Sequence, residues 1–431
     1  MKKIINYIEF FLIVLFLAFM FKVIGCSISK DIIQGNLDKT GNVISLAGLY
    51  PRDVMRGAEG DYFNYGWSMI DYFTEWILIN GVANVDSSQP FKSAMANYRY
   101  YNGDWNDIGH AIKSISETIG NEQLEMVPQY WWGSLALIRI LMVFFSYDEI
   151  LILFNIIFYI LLGITLYKVS NVIGRNEALA LLISFILVNF TVLTYMLEFG
   201  MVFIITFVAI LLILKENNNF DEEQKVGYVM VLSGMLTNYF DWLSTPLISC
   251  VLPLEVYTIY QIKKGKMDKI VEWIKIINYG IIWCVSYAGM LVLKWFLSIV
   301  ILGGDIWDTI LARIKEDTSI MGDRLSYFGQ TIYRNINMIG FGKISPIVIG
   351  GIIIGTWGIL IFYMLLKKMK IQWTLPLLIC SVIPFIWMYI FSWHTHEHFW
   401  FTYRNLIVTI FPVFIIILSI VRYINGKVKE I

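Results

Sequence analysis

Apolar and polar residues alternate along this chain on the scale of whole segments. A first apolar run covers 7–25, a largely polar region follows it, and the rest of the chain alternates between apolar runs and short polar connections. Several runs reach the roughly 18 uncharged residues that a helix needs to cross a bilayer. The pattern therefore predicts an all-α polytopic membrane protein. The later apolar runs are 131–145, 149–167, 177–195, 200–214, 227–240, 243–261, 275–302, 346–366, 373–392 and 402–421.

The run at 131–145 decides the direction of every later helix. Two lysines before the first run predict a cytoplasmic N-terminus. If all later runs crossed, the basic connections after 149–167, 243–261 and 346–366 would be external, against the positive-inside rule. Because the fifteen residues of this run span only about 22 Å as a helix and a bilayer core needs about 30 Å, we predict an interfacial juxtamembrane helix here. About ten spans then remain, with both termini cytoplasmic.

This topology divides the chain into three parts. Residues 1–25 form the first transmembrane helix, 26–148 form a large extracytoplasmic loop that ends in the juxtamembrane helix, and 149–431 form the transmembrane bundle. A second extracytoplasmic loop interrupts the bundle at 303–345. Between residues 26 and 127 the chain carries thirteen acidic and seven basic residues, so the first loop is acidic.

Composition supports the membrane assignment and adds little about partners. The chain is 58% hydrophobic, which excludes an ordinary soluble protein, and its 33 basic residues balance its 33 acidic ones. We therefore expect membrane lipids around the protein in the plasma membrane and no nucleic-acid partner. The four cysteines show neither a CxxC motif nor a zinc-ligand spacing. The segment 305–320 alternates apolar and charged residues at helical spacing and predicts a helix at the membrane interface.

The order of the motifs around the short run resembles the GT-C class of membrane glycosyltransferases. A long acidic first loop, an aromatic entry, a short apolar helix and then a regular bundle follow one another in the chain. The resemblance covers about 70 residues and implies a GT-C-like fold. The matching motifs are Pro128-Gln129-Tyr130-Trp131-Trp132, Phe144-Phe145-Ser146-Tyr147-Asp148-Glu149, Leu166-Tyr167-Lys168 and Gly174-Arg175-Asn176-Glu177-Ala178-Leu179-Ala180.

A narrower likeness, over most of the chain, is to uncharacterised bacterial multi-pass membrane proteins of the same kind. It implies no particular activity, so the reaction is expected from the wider class alone. Its motifs are Asp71-Tyr72-Phe73-Thr74-Glu75, Lys92-Ser93-Ala94-Met95, Tyr130-Trp131-Trp132-Gly133, Tyr239-Phe240-Asp241-Trp242-Leu243, and His394 through His398 to Phe401-Thr402-Tyr403-Arg404.

Asp71 and Glu75 are the catalytic candidates. The GT-C resemblance implies that a first-loop carboxylate acts as general base or metal ligand, so a divalent metal is an open expectation. The two residues are four apart, so on a helix they share one face and could act as base and orienting partner. A solvated helix face is the alternative interpretation. The pairs Glu59 with Asp61 and Asp104 with Asp107 compete for the same role.

The string His394-Thr395-His396-Glu397-His398 holds three of the four histidines. On a helix His394 and His398 share a face, and in an extended segment all three do, so metal binding is sterically possible. Together with Arg404 they would also suit a lipid phosphate, because a guanidinium provides bidentate donors. The alternative is an interfacial turn that aromatic side chains anchor.

The remaining binding candidates are Tyr130, Trp131, Trp132 and Asp241. The three aromatic residues would shape a substrate entrance or only seat the short helix at the interface. Asp241 lies in a very short turn between two runs, where it would contact substrate or cap the helix that follows.

Three charged residues inside apolar runs have weaker functional interpretations. Lys294 would meet a phosphate or extend to the interface, and Arg139 would face lipid head groups. Glu255 has no clearer assignment.

The expected function is transfer of a sugar from a polyprenyl-phosphate-linked donor to a cell-envelope glycan or lipid acceptor on the external face. A transporter or flippase of lipid-linked sugars is one alternative, although no internal repeat supports it. An envelope glycan polymerase or ligase is the other, although those proteins place the main external loop late in the chain.

Overall fold

A computed structural model describes residues 2–47, 71–101, 103, 109–120, 123–216, 221–266, 270–304, 306–365 and 371–424. Over these residues the protein is all-α apart from one short β-ribbon, and the predicted fold class is confirmed to that extent. The N-terminal part contains α1 (Lys2–Ser27), α2 (Lys30–Ala47), α3 (Tyr72–Ala83), α4 (Pro90–Ala96), β1 (Tyr98–Tyr100), α5 (Gly109–Ser116), β2 (Leu124–Met126) and α6 (Gly133–Leu141).

The second part is the helical bundle. Its helices are α7 (Tyr147–Val172), α8 (Arg175–Leu187), α9 (Leu197–Leu214), α10 (Glu222–Phe240), α11 (Leu247–Lys263), α12 (Ile270–Leu302), α13 (Ile306–Asp317), α14 (Arg324–Asn337), α15 (Pro346–Leu365), α16 (Ile371–Ile390), α17 (Ser392–Glu397), α18 (Phe399–Thr402) and α19 (Ile407–Ile424). Short 3-10 segments at Phe190–Tyr195 and Tyr403–Leu406 connect some of them.

Five helical stretches in the described residues are long and apolar enough to cross a membrane. They are Lys3–Ser27, Tyr147–Val172, Leu197–Leu214, Val271–Leu302 and Phe399–Arg422. Two shorter apolar stretches, Pro346–Phe362 and Leu375–Ile390, fall below that length. The protein is therefore a helical membrane protein, but these criteria do not reproduce the predicted count of ten spans.

The run at 177–195 shows why an apolar run need not be one spanning helix. Helix α8 ends at Leu187, and Asn189 adopts the left-handed conformation with φ of 48°. The chain then continues as the 3-10 segment Phe190–Tyr195. Thirteen helical residues extend only about 20 Å, which is less than the bilayer core.

Helix α6 occupies the stretch predicted as a juxtamembrane helix. It has nine residues and a length of about 14 Å, too short to cross. Trp132 precedes it in the left-handed conformation with φ of 51°. The helix packs against α1 and α3 rather than standing alone, and most of its side chains are buried.

Arg139 on α6 corrects one expectation. It was predicted to face lipid head groups, but its side chain is fully buried. Its guanidinium donates hydrogen bonds to the carbonyl oxygens of Gly25, Ile28 and Val82. These carbonyls lie at or just beyond the C-terminal ends of α1 and α3, where a helix leaves acceptors without intrahelical donors. Arg139 therefore joins three elements of the core.

Lys294 is likewise a structural link. Its ammonium group is buried and donates to the Met95 carbonyl oxygen at 2.6 Å and to Ser298 Oγ at 3.0 Å. It therefore holds α4 against α12 and neither meets the cavity described below nor extends to an interface. Lys22 links α1 to the start of α6 in a similar way, because its Nζ donates to the Trp132 carbonyl oxygen at 2.5 Å.

Candidate functional site

A cavity of about 590 Å³ lies where the N-terminal part meets the bundle. Its walls come from the start of α3, the segment that follows β2, helix α13, the turn after α10, and residues 393–401. Five of the predicted site residues line it: Asp71, Tyr130, Trp132, His394 and His398. These residues come from three distant parts of the sequence, and they therefore converge on one cavity.

Asp71 is fixed at the first turn of α3. As the N-cap residue it accepts a hydrogen bond through Oδ1 from the Thr74 amide at 3.0 Å. Its Oδ2 accepts from Trp400 Nε1 at 3.0 Å. The residue is 2% exposed and lines the cavity. A carboxylate offers several lone pairs, and Asp71 lines the cavity, so a ligand there can approach this carboxylate.

Glu75 lies one turn further along α3 and points away from the cavity. Its Oε1 accepts from the Glu198 amide at the start of α9, at 3.1 Å. Its Oε2 has no hydrogen-bond partner within the described part of the chain. Burial raises the pKa of this carboxyl group to about 8. Glu75 therefore packs behind Asp71 and does not line the cavity as the predicted pair requires.

The competing carboxylate pairs, Glu59 with Asp61 and Asp104 with Asp107, lie outside the described residues.

Aromatic rings form one side of the cavity. Trp132 stacks on Trp242 with ring centroids 4.6 Å apart and an interplanar angle of 18°. Tyr130, Trp393 and Trp400 also line the space. Trp131, by contrast, points into the core, where its Nε1 donates to the Met290 carbonyl oxygen at 2.9 Å. The predicted aromatic entry is thus divided between cavity and core.

The three histidines of 394–398 separate in space. His394 and His398 line the cavity with ring centroids 5.0 Å apart. His396 instead stacks on Tyr327, and its Nδ1 lies 3.1 Å from Thr331 Oγ1. Burial lowers the pKa of His396 to about 4. The segment is helical at Ser392–Glu397, so His394 and His396 leave it in different directions.

The described residues contain no group of three His, Cys, Asp or Glu side chains arranged to hold a metal ion. The expectation that the three histidines act together as metal ligands therefore has no support in their geometry.

Helix α13 contributes two residues that the sequence did not single out. Arg313 lines the cavity and donates through Nε to Tyr130 Oη at 3.2 Å. Asp317, four residues later, forms an ion pair with Arg313 Nη2 at 3.1 Å and is 4% exposed. The only signal in the sequence was the amphipathic pattern of 305–320, which predicts a helix but not that its charged face meets a cavity.

Arg99 adds a second guanidinium to the same cavity. It follows Tyr98 in β1 and pairs across the ribbon with Glu125, Nη2 to Oε2 at 3.2 Å. Arg99 and Arg313 are close enough for their like charges to interact. Sequence reasoning also missed Arg99, because its position depends on the pairing of two three-residue strands.

Asp241 and Arg404 support the cavity without lining it. Asp241 Oδ1 accepts from the amides of Ser244 and Thr245 at 3.2 and 3.3 Å, so it holds the turn before α11 and does not cap that helix, whose N-cap is Pro246. Burial raises the pKa of Asp241 to about 7. Arg404 is buried and donates through Nη1 to the Trp400 carbonyl oxygen at 3.0 Å.

Comparisons with protein-family models, with curated proteins and with solved structures give no match to this chain.

Proposed function

We propose that the protein is an integral membrane glycosyltransferase with a GT-C-like fold. It takes a sugar from a polyprenyl-phosphate-linked donor and transfers it to a cell-envelope glycan or lipid acceptor on the external face of the plasma membrane. In this proposal about ten helices cross the membrane, both termini are cytoplasmic, and α6 lies near the external surface.

The observation that carries the proposal is the combination of groups that line the cavity. Asp71, Arg313 and Arg99 all line it. Aromatic rings, including the stacked pair Trp132 and Trp242, line it as well. Glycosyl transfer from a phosphate needs a base, a cationic site for the leaving group and a surface for the sugar, and this cavity offers all three.

The reaction assigns Asp71 as the general base. Its carboxylate takes the proton of the acceptor hydroxyl as the hydroxyl oxygen forms a bond to the anomeric carbon. The bond between that carbon and the phosphate oxygen breaks, and the phosphate leaves with the electron pair. Arg313 and Arg99 then stabilise the charge that develops on the phosphate.

The topology has separate support. The positive-inside rule places the basic connections of the bundle on the cytoplasmic side once α6 is not counted as a span. The short length of α6 agrees with that omission.

Transfer can be measured with the full chain in liposomes. Polyprenyl-phosphate-linked glucose, galactose and mannose, each with a radiolabelled sugar, serve as donors, and a lipid and glycan extract of bacterial envelopes serves as acceptor. We expect the label to move from one of these donors to the extract. The substitution Asp71→Asn keeps the size and the capping oxygen but removes the base, so transfer should fall about 10²- to 10⁴-fold.

Asp86→Asn is the matched control. Asp86 also lies in the N-terminal part and accepts from the Ser88 amide, but it does not line the cavity. This variant should transfer at the wild-type rate. Full transfer by Asp71→Asn would show that the base is assigned wrongly. Movement of labelled donor across the bilayer without transfer would favour the flippase alternative, and chain extension of one glycan would favour the polymerase alternative.

A further inference from the structure

A second cavity lies at the opposite ends of α9 and α10 from the candidate site. It is a groove of about 750 Å³, and its lining includes Leu212 near the end of α9 and Lys225 near the start of α10. The candidate site instead uses Phe199 at the start of α9 and Trp242 after the end of α10. Helix α9 rises about 20 Å from Phe199 to Leu212. Because α9 is long and apolar enough to cross a membrane, the two cavities lie towards opposite membrane faces.

Faces of three helices form the groove. Helix α10 packs against both α1 and α9. On α1, Glu9 and Ile13 are four residues apart and both line the groove, as do Lys225 and Val229 on α10. Residues with this spacing lie on one side of a helix. The helical spacing of the sequence therefore gives each of these helices a side that faces the groove.

The charged residues gather at one end of the groove. In each helix the charged residue lies nearer the end of that helix than an apolar partner does. Glu9 precedes Ile13 on α1, Lys225 precedes Val229 on α10, and Lys215 follows Leu212 at the end of α9. The groove is therefore polar towards the membrane face and apolar towards the membrane interior.

The apolar part of the groove is open to lipid. Ile13 is 57% exposed although it lies inside the apolar stretch of α1, and Leu212 is 37% exposed. The ring of Phe10 packs edge-on against the ring of Tyr228, with centroids 5.0 Å apart, and joins α1 to α10. Exposed apolar side chains on a spanning helix contact acyl chains rather than water. An acyl chain can therefore lie along this part of the groove.

Lys225 places a fixed positive charge at the polar end. Its ammonium group donates to the carbonyl oxygens of Ile213 at 3.0 Å and Lys215 at 2.6 Å. These carbonyls end α9, where a cation is favourable because the last carbonyls of a helix have no intrahelical donors. An ammonium group has three N–H donors, and these bonds use two of them. The third can donate to a ligand.

Glu9 and Lys215 are exposed at the same end of the groove. The nearby ion pairs join Lys3 to Asp221 and Lys275 to Glu223. Within the described part of the chain, these pairs leave Glu9 and Lys215 without an ionic partner. The polar end therefore offers two cations and one carboxylate to a ligand.

We propose that this groove binds one phospholipid whose headgroup carries a phosphate and a primary ammonium, as in phosphatidylethanolamine. Lys215 and Lys225 bind the phosphate, Glu9 binds the ammonium, and an acyl chain lies along the apolar part of the groove. The site does not depend on the proposed transfer reaction, because it shares no residue with the candidate site.

The charges of the groove select this headgroup over two others. The phosphate of phosphatidylglycerol would meet the lysines, but its headgroup has no cation to neutralise Glu9. The choline of phosphatidylcholine has a positive charge but no N–H donor, so it cannot form the charge-assisted hydrogen bond that a carboxylate accepts from a primary ammonium. Only a headgroup with both charges and an N–H donor satisfies all three side chains.

Native mass spectrometry of the full chain in detergent measures this selectivity. The protein is freed of bound lipid, and the three phospholipids are added separately with identical acyl chains. We expect one phosphatidylethanolamine per chain to bind with a Kd about tenfold lower than that of either other lipid, about the effect of one charge-assisted hydrogen bond. Equal Kd values for the three lipids, or tighter binding of phosphatidylglycerol, would overturn the headgroup assignment.

Two substitutions separate the charges of the headgroup. Glu9→Gln should weaken phosphatidylethanolamine to the level of phosphatidylcholine, because only the ammonium loses its partner. Lys215→Gln should weaken all three lipids, because each has a phosphate. Arg175→Gln is the matched control, since Arg175 is exposed at the start of α8 and does not line the groove. Full selectivity in Glu9→Gln would show that this carboxylate does not bind the ammonium.

The position of the lipid has its own test. Ile13→Trp adds a bulky ring to the groove at an exposed position, so it should reduce binding of the first phosphatidylethanolamine about tenfold without disturbing the core. Leu12→Trp is the matched control, because Leu12 is 53% exposed on α1 but does not line the groove. Equal binding by these two variants would show that the lipid lies elsewhere. Unchanged tryptophan-monitored unfolding of Glu9→Gln and Lys215→Gln would confirm that their losses arise at the lipid.

Discussion

Arg139 offers a test of the core that joins the N-terminal part to the bundle. The sequence predicts a lipid-facing arginine, whereas the structure buries its guanidinium against the carbonyls of Gly25, Ile28 and Val82. The substitution Arg139→Met keeps a long apolar side chain and removes every donor. It therefore leaves three carbonyl oxygens near the C-terminal ends of α1 and α3 without this partner.

The expected loss of stability follows from those carbonyls. A buried acceptor without a partner costs about 1–3 kcal/mol. Three such costs do not add fully, because the structure relaxes, and burying a methionine avoids the desolvation of a guanidinium. We expect the free energy of unfolding to fall by about 3–5 kcal/mol, which is large for a single substitution.

Unfolding in mixed detergent micelles, followed by tryptophan fluorescence, measures this difference. Arg175→Met is the matched control, because Arg175 is exposed at the start of α8. It should change the free energy of unfolding by less than about 0.5 kcal/mol. If Arg139→Met were as stable as this control, the guanidinium would not cap the two helices, and the lipid-facing interpretation would be correct.

Two further substitutions test the packing beside the cavity. Burial raises the pKa of Glu75 from its ordinary 4.5 to about 8, so the folded protein binds a proton that the unfolded chain has lost, and stability falls as pH rises between these values. In a pH series of unfolding measurements, Glu75→Gln should reduce this fall in stability. Asp241, whose pKa is raised to about 7, should leave a residual dependence of stability on pH. If the dependence of stability on pH were the same in Glu75→Gln as in the wild type, the raised pKa would not belong to Glu75. Gly133→Ala would place a Cβ against the ring of Tyr239 and should destabilise by about 1–3 kcal/mol in the same assay. Gly350→Ala, where a Cβ meets nothing within 4 Å, is its control, and equal stability of the two variants would contradict the close contact.

The predictions that held best concern single segments. Apart from the end of the 177–195 run, which is a 3-10 segment, the apolar runs fall largely on helices, and the stretch after Trp132 is a short helix, because hydrophobic periodicity and length act locally. Asp71 lies at the start of the helix that also carries Glu75, and it lines the cavity. Tyr130, Trp132, His394 and His398 do line one cavity with it, although the spacing of the motifs could not show which wall each would occupy.

Several side chains have contacts that the sequence did not predict. Glu75 turns to the start of α9, Trp131 turns into the core, and His396 leaves the other histidines. Arg99, Arg313 and Asp317 were missed, because nothing in their local sequence shows that they face a cavity. Polar residues of the same type occur on solvated helix faces, so their role depends on what packs opposite them.

The sequence by itself determined that this is a helical membrane protein and which segments become helices. The reason is that backbone hydrogen bonds must be satisfied within each segment in lipid, and the apolar composition of a segment decides whether it can be buried there. Only the tertiary structure decided the site. Asp71 and Trp400 meet across 329 positions, and Asp317 meets His394 through the docking of α13. Such contacts depend on how rigid helices pack, and a charge acquires its function only from the groups that packing brings within a few ångströms.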